Sequence, residues 1–227
     1  MYFEELARKS KICLVFEPGR ANDEFVSVRK GGENYIVKCH GVGAHSGVNP
    51  QDGASAVLEL AAQALELNKL VDYEAGTTLT IGRFDGGGDN GSVPDYAEFT
   101  VSFRALDPAA FDRLHVKLDE MRAHPFDPRT RIEIENVSKR PAMAMHDATR
   151  KLLDELYAAG AETGIPVRDI TTGGASDGNF ISPFGVATLD GCGPCGADLH
   201  TEREYLKTWT VPTRLKLMKA LLYRLFY

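Results

Sequence analysis

The sequence predicts an α/β chain in which one module is inserted into another, and two observations carry this. Near both ends, short apolar runs at residues 12–16 and 186–189 alternate with stretches of helical periodicity, the pattern of a parallel-type sheet with covering helices. Between them, residues 33–139 read strand, helix, strand, strand, helix, strand. The 227 residues allow one large domain or two small ones, and a chain 43% hydrophobic and 26% charged supports packed cores rather than disorder.

Taken in order, residues 4–10 read as the end of a helix and lead into the apolar run 12–16. Glu17-Pro18-Gly19 stops that strand and leaves a carboxylate at its carboxyl end. Residues 35–42 form a strand, followed by the loop Gly43-Ala44-His45-Ser46-Gly47. Residues 53–70 repeat apolar positions at helical spacing, with Val57, Leu58, Ala61, Ala62, Leu65 and Leu70 expected on the inward side. Residues 77–84 alternate as a strand, the glycine-rich turn 85–91 follows, and residues 96–105 form a further strand. Asp107 is a good N-cap and Pro108 a good first helical residue. The helix they open presents Phe111, Leu114, Leu118 and Met121 inward until His124-Pro125 and Asp127-Pro128 break it. Residues 130–137 alternate as the last strand, completing a ferredoxin-like β-α-β-β-α-β order: one sheet under two helices. Beyond Arg140-Pro141 come a helix at 146–160, a strand at 166–170 and a basic, leucine-rich helix at 211–226. The expected division is therefore 1–32 with 140–227 as one α/β domain, and 33–139 as the inserted module.

Composition excludes several classes of function. A net charge of -6 without a basic stripe argues against nucleic-acid binding. No apolar run reaches the ~18 residues of a membrane span, and the charged first twenty residues lack a secretory h-region. Cys13, Cys39, Cys192 and Cys195 are too few for a disulfide scaffold at this length, which makes a reduced, cytoplasmic setting the default.

Residues 171–205 concentrate the candidate chemistry. A Gly173-Gly174 turn, a Ser176-Asp177-Gly178 segment read as exposed, the buried run 186–189 and the glycines Gly191, Gly193 and Gly196 lead to His200. In open α/β sheets such strand ends are where ligands bind. Glu17 and His200 lie beyond two apolar strands and could converge on one sheet edge, although two donors fall short of a zinc set. Each also reads as an ordinary turn or loop residue. His45, between small residues, is placed either to donate a hydrogen bond to an oxyanion or to cap the helix that follows. Arg104 at a strand end can clamp a carboxylate bidentately or simply be solvated. Cys192-Gly193-Pro194-Cys195 is a C-x-x-C redox pattern, but no helical pattern follows it to activate the first thiol.

Several motifs recur together in one family. They are Glu17-Pro18, His45-Ser46-Gly47, Val93-Pro94-Asp95-Tyr96-Ala97-Glu98, Arg104, Arg140-Pro141, residues 173–178, Leu189-Asp190-Gly191 with Gly193-Pro194, and His200-Thr201 with Glu204-Tyr205. In that order, nearly the whole chain resembles the carboxyl-terminal portion of the M20-type zinc metallopeptidases, similar to the glutamate carboxypeptidases and related deacylases. The resemblance implies hydrolysis of a peptide or N-acyl amide bond beside a free carboxylate by two zinc ions. It implies Glu17 and His200 as metal ligands and His45 as a group reaching across a homodimer to the substrate carbonyl. It also implies Arg104 as the carboxylate clamp, with Gly173, Gly174, Ser176, Gly191 and Gly193 lining the pocket and the inserted module serving as lid and dimerisation domain. The expected lid asparagine position is Gly91, with Asn90 one place earlier. The family's His-x-Asp, bridging Asp and Glu-Glu elements are absent, so the expectation is an incomplete chain that does not hydrolyse alone. The rival expectations are a non-catalytic dimerising or ligand-binding module and a thiol-disulfide oxidoreductase using Cys192 and Cys195.

Overall fold

The computed structural model describes residues 2–88 and 90–227; Asp89, read above as part of the turn 85–91, lies outside them. The chain divides into two compact units, one built from residues up to Gly31 with Arg140–Tyr227 and the other from Gly32–Lys139. It begins with α1 (Tyr2–Lys9), β1 (Ile12–Leu14) and β2 (Phe25–Arg29). It then runs through β3 (Gly31–His40), α2 (Ala56–Asn68), β4 (Thr78–Gly86), β5 (Tyr96–Ala105), α3 (Pro108–Ala123) and β6 (Arg131–Arg140). Next come α4 (Asp147–Thr163), β7 (Asp169–Thr172), α5 (Gly178–Ile181) and β8 (Ala187–Leu189), and the chain finishes with β9 (Gly196–Ala197), β10 (Tyr205–Leu206) and α6 (Thr210–Phe226).

The inserted unit is the expected four-stranded sheet, in the order β4-β5-β3-β6. Period-2 alternation along β5 buries Ala97, Phe99, Val101, Phe103 and Ala105 and turns Glu98, Thr100, Ser102 and Arg104 to the other face. Against the buried face pack Leu60 and Leu67 of α2 with Leu114, Leu118 and Met121 of α3. Both helices start where local chemistry dictates. The Ser55 hydroxyl accepts the Leu58 N–H at 3.2 Å, and the Asp107 carboxylate accepts the Ala109 N–H at 2.9 Å ahead of Pro108.

The inward face of α2 differs from expectation. Ala56, Glu59, Leu60, Gln63 and Leu67 are buried, while Leu58 and Leu65 are 72% and 71% exposed and Ala61 is exposed with them. This helix is apolar on nearly every side, so periodicity does not select a face. The polar Glu59 settles it from within. Its carboxylate accepts the Phe126 and Asp127 N–H groups at 3.0 and 2.9 Å and the Gln63 amide at 2.8 Å, tying α2 to the loop that follows α3.

In the flanking unit β1 and β8 are parallel, with Ile12 opposite Ala187, and β2 and β7 are parallel, with Phe25 opposite Asp169. The two pairs join through an antiparallel bridge between Val26 and Asp190, whose N–H···O bonds are 2.8 and 2.9 Å. The parallel-type reading thus holds within each pair and not between them. The reason is the return after Glu17: Arg20 N–H bonds to Glu24 O at 3.0 Å, Asp23 takes a left-handed φ of 66°, and the chain reverses into β2. Leu152, Leu156, Leu189, Leu217 and Leu221 form the core of this unit.

Glu33, at the start of β3, is a buried carboxylate that accepts hydrogen bonds from Lys139 at 2.8 Å, His115 at 2.7 Å and the Tyr35 hydroxyl. Burial alone would raise its pKa, but the bonds from Lys139, Tyr35 and His115 outweigh it and hold the carboxyl below its ordinary range. A depressed folded pKa stabilises the protein above the unfolded carboxyl's titration, and that contribution is lost as pH falls through the folded value. Urea unfolding of Glu33→Gln is accordingly expected to show a lower midpoint than the parent at pH 7, with the gap closing at pH values below the carboxylate range. A gap independent of pH would show that the charge contributes nothing.

Candidate functional site

In the flanking unit the site is organised by Arg29, at the end of β2. Its Nε donates to Asp190 Oδ2 at 2.7 Å and its Nη1 to Gly174 O at 2.9 Å. Both members of this ion pair are buried, with side chains 4% and 0% exposed. The Asp190 carboxylate also accepts the Ser176 hydroxyl and the Gly191 N–H. Ser176 N–H in turn donates to Asn179 Oδ1 at 2.9 Å, and the Asn179 amide donates to Lys30 O and Pro141 O at 3.1 and 2.8 Å. Ser176 is therefore an internal group, buried rather than exposed as the sequence suggested. Its hydroxyl is committed to Asp190, and Gly173 and Gly174 lead into a clamped turn.

Gly191 and Gly193 seat the backbone around Glu17. Gly191 has a φ of 66°, and Gly193 N–H donates to Glu17 O at 3.0 Å. A Cβ at Gly193 would lie 2.9 Å from the carbonyl oxygens of both Phe16 and Glu17, so only glycine allows this approach. Glu17 is exposed, and Gly19 pairs with Cys195, which brings the segment after β1 beside the start of β9. β9 and β10 form a short hairpin, Ala197 opposite Tyr205, with His200 on its connecting loop rather than directly at the end of β8. His200 is exposed, holds a left-handed φ of 64°, and donates its N–H to Glu204 Oε2 at 3.0 Å. The structure thus brings Glu17, Gly191 and Gly193 together and sets His200 on the hairpin that continues from them.

All four cysteines are free. Burial, reinforced by the Asp190 carboxylate, pushes the Cys192 thiol up to about 12, and burial raises Cys195 as well. Neither is a ready thiolate near neutral pH, which removes the physical basis for the redox reading.

Among the described residues no group of three or more His, Cys, Asp or Glu side chains is placed to hold a metal ion. Glu17 and His200 are two donors where a catalytic zinc takes three from protein. The donor set present does not by itself fit a zinc centre.

In the inserted unit, the loop carrying His45 pairs with the segment carrying Asn90. His45 bridges Ser92, Ser46 N–H donates to Gly91 O at 2.9 Å, the Ser46 hydroxyl donates to Asn90 O at 3.1 Å, and Val93 N–H donates to Ala44 O at 2.8 Å. His45 does not cap α2, a task Ser55 performs. Gly47 N–H donates to His45 Nδ1 at 3.1 Å, so the neutral ring keeps its proton on Nε2 as an exposed donor. Arg104, half-exposed, pairs with Thr78 and lies beside Gly32, where the chain enters this unit. The His45 loop adjoins the opposite end of β5, since Gly41 N–H bonds to Asp95 O at 2.8 Å. Eight residues of antiparallel strand separate the two ends, roughly 27 Å. One chain brings His45 and Asn90 together and keeps Arg104 apart from them.

Residues 28–130 match the peptidase dimerisation domain of the M20 type. The chain carries an M20 dimerisation domain. It is 25% identical over 225 residues to carboxypeptidase G2 of Pseudomonas sp. (strain RS-16), covering 96% of this chain and 54% of that protein. It is 30% identical over 210 residues to the succinyl-diaminopimelate desuccinylase of Psychrobacter sp., covering 86% of this chain and 50% of that protein. Aminopeptidase PepT from Bacillus cereus superposes with a TM-score of 0.81 at 23% identity, over 93% of this chain and 56% of that one, a likeness of fold. The chain spans about half the length of the curated relatives it matches. The M20 resemblance and the mixed α/β fold read from the sequence are both borne out. No helix among the described residues is long and apolar enough to cross a membrane.

The Arg29–Asp190 pair escaped the sequence reading. The available signal was an acid directly after the short, largely apolar run 186–189, where a buried carboxylate demands a partner. Leaving one buried charge unpaired typically costs about 3–5 kcal/mol. Chemical denaturation of Arg29→Met is expected to show a loss of that order, whereas a loss under about 1 kcal/mol would mean that water reaches Asp190.

Proposed function

We propose that this chain serves an M20-type hydrolase that cleaves an amide bond beside a free carboxylate, in a small peptide or N-acyl amino acid. The observation that carries the reading is the placement of His45 and Arg104 at opposite ends of β5 in a dimerisation domain. A single substrate cannot reach across ~27 Å of strand to touch both. Two copies with their domains side by side can pair the His45 of one with the Arg104 of the other. Arg104 then holds the substrate carboxylate, and the Nε2–H of His45 donates to the oxygen that becomes negatively charged as the carbonyl is attacked. Asn90, seated beside His45, adds a second polar group at that end.

In this reading Glu17 and His200 are two of the donors for zinc, with Gly191 and Gly193 fixing the Glu17 backbone and the Gly173–Ser176 turn forming the pocket wall. With two donors and no general base assigned among the described residues, the chain assayed alone is expected to show no hydrolysis. The names of the relatives, a carboxypeptidase and a desuccinylase, support an amide substrate bearing a carboxylate.

Fusion to the amino-terminal catalytic half of a related M20 peptidase is the direct test. Zinc-dependent hydrolysis of an N-acyl amino acid is expected, and His200→Ala should abolish it; full activity in that variant would remove His200 from the donor set. In the same fusion His45→Ala should lower kcat by about 10²–10³-fold, as for a lost oxyanion donor. A change confined to KM would give His45 a different role. The exposed stripe of Leu58, Ala61 and Leu65 on α2 is the face assigned to the second copy. Light scattering on a Leu58→Glu/Leu65→Glu variant should report a monomer where the parent is a dimer, and a persisting dimer would place the contact elsewhere.

A further inference from the structure

The face of the inserted sheet turned away from α2 and α3 carries a trough of about 380 Å³ across its middle. We propose that it receives an uncharged aliphatic side chain of the substrate, on the residue whose carboxylate Arg104 holds. The inference rests on the role given to Arg104 above and adds a substrate class to it. Along β5 the outward positions run Arg104, Ser102, Thr100 and Glu98. At about 3.4 Å per residue, Ser102 lies roughly 7 Å and Thr100 roughly 14 Å along the strand from Arg104. Both line the trough, so its near end is one outward position from the carboxylate clamp.

The trough exists because small residues meet there. Thr80 of β4 pairs with Ser102, and Gly82 follows at the bulge where the register between β4 and β5 shifts. A Cβ at Gly82 would lie 2.9 Å from Thr100 Oγ1, so bare backbone at this position leaves the depth open. Ile36 of β3 and the 55%-exposed Val137 of β6 supply apolar wall. Two polar groups of the lining are already engaged. Thr100 Oγ1 accepts the Arg83 N–H at 2.9 Å, and the Asn34 amide donates to the Ser138 hydroxyl at 2.7 Å.

Charge fixes the class of ligand. Among the described residues no charged side chain lines the trough. Beyond its far end the outward charges answer one another, Arg83 with Glu98 and Lys38 with Glu135 at 3.5 Å. A charged side chain laid in the trough would lose water and meet no unpaired opposite charge. A leucine-sized group would exchange water for the Ile36 and Val137 surface, a favourable trade.

NMR on the isotope-labelled full chain tests this, with the Ile36 and Val137 methyl groups reporting the trough and the Arg104 amide the clamp. The chain is titrated to millimolar concentrations with N-acetyl-leucine, N-acetylglycine, N-acetylglutamate and N-acetyl-leucinamide. N-acetyl-leucine is expected to shift all three reporters saturably, with each of the other compounds at least ~10-fold weaker. Thr80→Phe, at an exposed strand position, is expected to bring N-acetyl-leucine down to the affinity of N-acetylglycine and to leave N-acetylglycine unchanged. N-acetylglycine as tight as N-acetyl-leucine, with the leucinamide still weak, would remove the trough and leave the Arg104 clamp standing. A leucinamide as tight as the acid would remove clamp and trough together. Unmoved methyl groups, N-acetylglutamate as tight as N-acetyl-leucine, or unchanged affinity in Thr80→Phe would each overturn the assignment. Methyl shifts that follow protein concentration without ligand would give the trough to a second copy and overturn it as well.

Discussion

A buried ion pair holds the flanking unit to one arrangement. Arg29 and Asp190 lie on strands that meet antiparallel at Val26 and Asp190, and the pair draws in the Gly174 carbonyl, the Ser176 hydroxyl and the Gly191 N–H. Two charges removed from water are tolerated when hydrogen bonds replace the lost solvation, and here the loops before α5 and after β8 supply the Gly174 carbonyl, the Ser176 hydroxyl and the Gly191 N–H. The arrangement is thus cooperative: loosening either loop exposes the charges, and moving either charge frees both loops. Around this pair the glycines Gly191 and Gly193 fold over the backbone of Glu17, so the position of one candidate donor depends on an interaction that never touches it.

The inserted unit solves a different problem with a simpler device. Strict alternation along β5 builds the core from every second residue and releases the others, Arg104 among them, onto the open face. The length of the same strand separates Arg104 from the His45 loop. The strand serves at once as scaffold, as presenter of a cation and as spacer. That last role is the one on which the proposed two-copy site relies.

Much of this was legible in the residues. The β-α-β-β-α-β order, the Asp107-Pro108 start of α3 and its inward Leu114, Leu118 and Met121 all follow from caps and periodicity. β2 was not visible, because Phe-Val-Ser-Val-Arg interrupts its apolar positions with a serine and an arginine that are buried only through partners on distant segments, Asp169 and Asp190. The face of α2 was read wrongly because leucine and alanine surround the helix, and the deciding contacts are made by Glu59 and Gln63. Ser176 looked like a surface residue because a short polar side chain carries no local sign of the partner that buries it. Glu17 and His200 were singled out as candidates through the ends of apolar runs, a cue that locates a sheet edge but does not give the hairpin on which His200 sits.

The insertion also bears on how the flanking unit can be assembled. Its strands β1 and β8 pair residues 12 and 187, a separation that would impose a slow, entropically costly closure on a free chain. The inserted unit shortens that path. Asn34 bonds to Ser138 at 2.7 Å and Glu33 to Lys139 at 2.8 Å, and an added Cβ at Gly31 would meet the Arg140 carbonyl oxygen at 3.0 Å. Once its own strands have closed, the two flanks leave it side by side, and the loop that β1 must close to reach β8 is shorter by roughly the length of the insert. What looks like an interruption in sequence acts in folding as a staple.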